Sequence, residues 1–196
     1  MNPPGGDDAA IPAPARPEPS ALNVANAFTL LRAFLVPVIA VFVFADGDTA
    51  RWWAFAIFVF AALTDSIDGW VARKLIGITR WGQLADPIAD KALIIGSLGV
   101  LAINGELPWW AVVIIMLREV AVTVLRVVLV RRGVVMPAGR FGKAKTVSQV
   151  VAVTLYLLPV WPPALAYWAL VLAVVLTVVS GVDYALRGGR RALRES

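Results

Sequence analysis

Six apolar runs dominate this chain, at roughly residues 29–45, 52–74, 86–103, 108–130, 145–160 and 163–186. A helix rises about 1.5 Å per residue, so about 20 mostly apolar residues cross the hydrocarbon core of a bilayer. Runs of this length are too long for strands, and they predict an all-α polytopic membrane protein with six transmembrane helices. Hydrophobic residues make up 60% of the 196 and charged residues 16%, against about 45–50% and about 25% in soluble domains. Breakers fall between the runs: Asp46-Gly47-Asp48, Gly82, Asn104-Gly105, Gly139, Gly142, Pro159 and Pro162-Pro163.

Lys and Arg set the orientation. The segments after the second and fourth runs, with both ends of the chain, carry Arg16, Arg73, Lys74, Arg80, Arg131, Arg132, Arg140, Lys143, Lys145, Arg187, Arg190, Arg191 and Arg194, whereas the opposite loops carry Arg51. The positive-inside rule then puts both termini in the cytosol of a multi-pass cell-membrane protein. The net charge of +5 follows from these loops, and no nucleic-acid partner is expected. Residues 1–20 contain six Pro and lack an apolar signal core; they read as a disordered tail. Residues 21–187 form the membrane domain and 188–196 a basic C-terminal tail.

The chain has no His and no Cys. Metal ligation and proton transfer must therefore fall on carboxylates, Lys, Tyr or hydroxyls. Charged groups at membrane depth face a bundle interior or a wet cavity and are functional by default. Asp65 and Asp68 are three residues apart, and Asp86 and Asp90 four apart, so each pair shares one helical face. An antiparallel hairpin joined by residues 75–85 can bring the faces together, and Asp86-Pro87 reads as the cap and first residue of the third span. Four converging carboxylates repel one another without cations. Oxygen ligands of this kind suit Mg²⁺ or Mn²⁺, and two such ions can clamp a pyrophosphate.

The stretch Thr64–Asp90, TDSIDGWVARKLIGITRWGQLADPIAD, resembles the signature of the CDP-alcohol phosphotransferase family, D-x2-D-G-x2-A-R-x8-G-x3-D-x3-D. Every fixed position is present, as Asp65, Asp68, Gly69, Ala72, Arg73, Gly82, Asp86 and Asp90. The resemblance implies a six-helix enzyme with a polar cavity open to the cytosol, in which a CDP-linked lipid lies on two divalent ions and CMP leaves. It makes Asp65, Asp68, Asp86 and Asp90 the metal ligands and Asp90 also the general base. It implies that Gly69 lets the nucleotide approach the helix backbone, that Arg73 meets phosphate or cytosine, and that Thr79 lies near the nucleotide. A homodimer is implied in the same way.

Other segments bear on the acceptor. Asn26, Thr29 and Arg32, in NAFTLLR, resemble the opening segment of the family's phosphatidylglycerophosphate synthase branch and are candidates for CDP-diacylglycerol binding; a capping Asn and a snorkelling Arg are the alternative. Arg118 and Glu119 fall in the middle of the fourth run, as a buried pair or as the reach of Arg118 or Arg126 toward an anionic acceptor. Arg140, Lys143 and Lys145 enter the fifth run as topology signals or as acceptor ligands, with Thr146 and Gln149 just inside. Lys91, beside Asp90, reads as neutralising the acidic cluster, with tuning of Asp90 as the alternative. An acceptor that carries its own phosphate, glycerol 3-phosphate, suits these cations. The expected reaction is phosphatidyl transfer from CDP-diacylglycerol to glycerol 3-phosphate. Alternatives are a cardiolipin synthase or phosphatidylinositol phosphate synthase of the same family and, from another class, a cation transporter.

Overall fold

The computed structural model describes residues 24–75, 80–131, 140–160 and 162–192, and the side chains of 31, 33–64, 91–131, 141–160 and 162–191. Six helices follow one another: α1 (Val24–Phe44), α2 (Asp48–Leu75), α3 (Arg80–Ile103), α4 (Trp109–Arg131), α5 (Arg140–Leu157) and α6 (Pro163–Ala192). Among the described residues there is no strand. Short connections make neighbouring helices antiparallel. Gly47 and Gly105 adopt positive φ, 100° and 78°, in the first and third connections, where a side chain would strain the backbone.

α1 packs on both α2 and α3, α5 packs on α6, and α4 leans on α6 and α3. α5 also touches α2 and α3, which joins the two halves. One apolar core is shared by all six helices, with Ile39, Phe58, Leu98, Leu101, Ile115, Leu157 and Leu170 fully buried. At one end Glu106 pairs with Arg51, and Asn104 donates to the Val43 carbonyl at 3.4 Å. These contacts tie the α1–α2 turn to the α3–α4 turn.

α3 meets α1 tightly at Gly96. A Cβ built there would stand 2.6 Å from Cγ1 of Val36, a branched side chain with little rotamer freedom. Gly96→Ala is expected to lower stability by about 1–3 kcal/mol, the usual range for overpacking. Thermal unfolding in detergent checks this; an unchanged midpoint would show that the contact relaxes freely.

The outer surface is strongly apolar: Phe34, Val41, Phe60, Leu117, Val124, Val151, Leu172 and Val182 are all exposed. Among the described residues one helix, Pro163–Arg191, is long and apolar enough to cross a membrane, with mean hydropathy 2.3; Ala33–Phe44 and Lys91–Ile103 are shorter apolar helices. Exposed Trp52 and Trp53, Trp109 and Trp110, and Tyr167 and Trp168 stand near the starts of α2, α4 and α6.

Several boundaries differ from the sequence reading. α3 starts at Arg80, so Gly82, Asp86 and Pro87 lie inside it. Proline removes one backbone hydrogen bond, and the helix-forming residues before it carry the helix past that point. Between α2 and α3 are residues 76–79, Thr79 among them, which lie outside the described residues. α1 starts at Val24, so Asn26 is its third residue and not its cap. α5 starts at Arg140 and runs through Gly142, where a Cβ would meet nothing within 4 Å. α6 continues to Ala192, beyond the expected boundary at 187. The Arg187–Asp183 pair at 2.7 Å, one turn apart, supports that extension, as do Arg190 and Arg191 in the last turn. The 1–20 tail lies outside the described residues.

Candidate active site

Asp65, Asp68, Gly69 and Arg73 fall on α2, and Asp86 and Asp90 on α3. The backbone is helical through all six positions, so each aspartate pair keeps the register that puts it on one helix face. The side chains of these residues, and those of Asn26, Thr29, Arg32 and Arg140, lie outside the described ones. Among the described residues no group of three or more His, Cys, Asp or Glu is placed to hold a metal.

Directly after Asp90, Lys91 opens a described polar site. Its Nζ lies 3.3 Å from Glu119 Oε2 and donates to Thr123 Oγ1 at 2.5 Å. Thr123 in turn donates to the Glu119 carbonyl at 2.7 Å. Lys91 is therefore paired with α4; the aspartates it is expected to neutralise have side chains outside the described ones.

Glu119 is 4% exposed and takes two further cations on Oε1: Arg118 Nη1 at 2.9 Å and Lys145 Nζ from α5. Arg118 is held from its other side by α6, where its Nε donates to the Thr177 carbonyl at 3.1 Å and its Nη2 to Ser180 Oγ at 2.7 Å. Gly181 makes room for it, since a Cβ there would lie 3.1 Å from Arg118 Cγ. Gln149 Nε2 donates to Thr177 Oγ1 at 2.8 Å, and that hydroxyl donates to the Ala173 carbonyl at 2.6 Å. A buried carboxylate is tolerable only with such partners, and removing one member of a buried pair typically costs about 3–5 kcal/mol.

A cavity of about 510 Å³ lies against this cluster. Its polar lining is Lys91, Glu119, Lys145, Thr146, Gln149 and Thr154; its apolar wall includes Val59, Leu63, Leu93 and Val150. Leu63 precedes Asp65 by two residues and Lys91 follows Asp90, so described lining residues adjoin the aspartate positions along both α2 and α3.

The basic residues expected at the acceptor separate into two groups. Arg118 and Lys145 meet at Glu119. Arg126 is exposed and lies over the Tyr184 ring, 5.8 Å from its centroid, while the exposed Lys143 borders a shallow groove with Ala169 and Leu172 of α6. The role of Glu119 as a hub for three cations escaped the sequence reading, as did Thr177, Ser180 and Gly181. Their signal is a row of small and polar residues at helical spacing within the apolar α6.

Residues 22–179 match the CDP-alcohol phosphatidyltransferase family. The chain belongs to that family and is an enzyme of its class; membership replaces the cation-transporter reading. The chain is 46% identical over 173 residues, 86% of its length and 82% of the relative, to the probable phosphatidylglycerophosphate synthase of Mycobacterium tuberculosis. It is 37% identical over 179 residues, 83% of its length and 93% of the relative, to the CDP-diacylglycerol–glycerol-3-phosphate 3-phosphatidyltransferase of Bacillus subtilis. A protein of that same name from Pseudomonas fluorescens is 31% identical over 166 residues, 82% of this chain and 84% of the relative.

Proposed function

We propose that this chain transfers the phosphatidyl group of CDP-diacylglycerol to sn-glycerol 3-phosphate, giving phosphatidylglycerophosphate and CMP. The observation that carries the reading is 46% identity across 86% of the chain to a relative named for that synthesis. The primary hydroxyl oxygen of the acceptor attacks the phosphorus that bears diacylglycerol. A P–O bond forms there, the bond from that phosphorus to the bridging oxygen breaks, and CMP leaves with the bridging oxygen. The Asp90 carboxylate takes the hydroxyl proton.

Asp65, Asp68, Asp86 and Asp90 hold divalent cations in this reading, two Mg²⁺ or Mn²⁺. A donor set of carboxylates alone, in a chain without His or Cys, fits such hard ions. When bound they neutralise pyrophosphate charge and polarise the phosphorus. Gly69, Arg73 and Thr79 serve the nucleotide, and Asn26, Thr29 and Arg32 the donor at the start of α1. The acceptor phosphate is met by Arg118 and Lys145, with Arg126, Arg140 and Lys143 adding positive potential at that end of the bundle. The apolar cavity wall has the chemistry that acyl chains require.

All six helices cross the cell membrane, with both termini and the cavity mouth in the cytosol, and the protein works as a homodimer. Supporting the membrane reading are the exposed apolar faces of the helices. Exposed Trp and Tyr near the starts of α2, α4 and α6 suit an aromatic belt at the opposite interface.

An acceptor panel tests the assignment. Purified protein with CDP-diacylglycerol should release CMP with glycerol 3-phosphate and give at least tenfold less product with phosphatidylglycerol or inositol phosphate. Product from one of the latter, with none from glycerol 3-phosphate, would sink it.

A further inference from the structure

Lys91, Arg118 and Lys145 come from α3, α4 and α5 and converge on the two oxygens of Glu119. Three cationic groups against one carboxylate leave two positive charges in surplus among the described residues. Two of the three, Lys91 and Lys145, line the cavity together with Glu119. Cations held at a cavity wall in excess of the carboxylate that gathers them present donors suited to an anion. The arrangement also limits freedom: two lysine chains have several rotamers each, and here both end on the same carboxylate. Arg118 is fixed from behind by Thr177 and Ser180.

We propose that Glu119 is the positioning residue of an anion subsite: it gathers Lys91, Arg118 and Lys145 from three helices into one arrangement whose surplus charge holds the acceptor's phosphate. Lys91 is a binding member of that subsite and joins it to Asp90, its neighbour in the chain. The inference rests on the function proposed above only in taking the anion to be the acceptor's phosphate. Glu119 touches the three cations, and its role in the subsite runs through them.

Charge and position predict opposite signs for Glu119→Gln. The variant raises the positive charge of the site, so if Glu119 merely neutralised its neighbours, an anion would bind more tightly. If it positions them, the cations separate by mutual repulsion and the anion binds more weakly. The experiment uses the full chain in detergent, with inorganic phosphate as the binding probe and uncharged glycerol as control, alongside steady-state kinetics. Phosphate is expected to raise the melting temperature of the wild-type protein and not that of Glu119→Gln. The KM for glycerol 3-phosphate should rise at least tenfold in the variant while that for CDP-diacylglycerol stays within about twofold. Glu119→Asp should recover part of both responses.

Tighter phosphate binding by Glu119→Gln, or an equal rise in both KM values, overturns the proposal. Should that variant fail to fold, Lys91→Gln carries the test: loss of the phosphate response supports the subsite, and full retention overturns it. A wild-type protein stabilised by phosphate through Glu119, yet inactive with glycerol 3-phosphate, would support the subsite and defeat the acceptor assignment.

Discussion

Asp90→Asn is expected to lower phosphatidyl transfer by on the order of 10³-fold, within the range that a positioned general base contributes. Asparagine keeps the size of the side chain and one oxygen, but it cannot accept the acceptor's proton, and it removes a charge from the proposed metal set. Few groups can take over. The chain contains no His, and the nearest described titratable neighbour, Lys91, is cationic and bound to Glu119 and Thr123. The loss should fall mainly on kcat, because the proposed acceptor subsite binds the phosphate of glycerol 3-phosphate through cations separate from Asp90. CMP release at saturating Mg²⁺ measures it. Activity within tenfold of wild type would remove Asp90 as the base.

The number and order of helices were legible because six apolar runs leave few other folds, and the turns at Gly47 and Gly105 announced themselves by residue type. Helix starts were less legible. Asp86-Pro87 has the form of a cap, yet α3 begins six residues before Asp86, since a proline in a long helix forfeits only local bonding while the remaining turns persist. Gly142 reads as a breaker and sits inside α5, where open space surrounds it. The aspartate motif was legible because its spacing lies within 26 residues of one chain segment. The cation cluster was not, since Lys91, Glu119, Lys145 and Thr177 belong to four helices, and only their packing reveals that one carboxylate serves three partners. Sequence reading could identify Arg118 and Glu119 as a pair; it had no means of placing Lys91 on Glu119.

Chelation of divalent cations is expected to abolish transfer, and Asp65→Asn to reduce it by on the order of 10²-fold at limiting Mg²⁺, with partial recovery as Mg²⁺ is raised. Recovery separates this variant from Asp90→Asn, since a lost proton acceptor, the role proposed for Asp90, is not replaced by any concentration of metal. Stability gives a second and less obvious contrast. Without metal, four carboxylates held on two helices repel one another, and removing one charge relieves part of that repulsion. The metal-free Asp65→Asn protein should therefore melt at a higher temperature than metal-free wild type, and gain less on addition of Mg²⁺. A purely structural aspartate predicts the reverse, a lower melting temperature under both conditions. Full activity in excess chelator would overturn the metal assignment, whereas the crossing of the two stability responses would tie the aspartates to a shared cation even before turnover is measured.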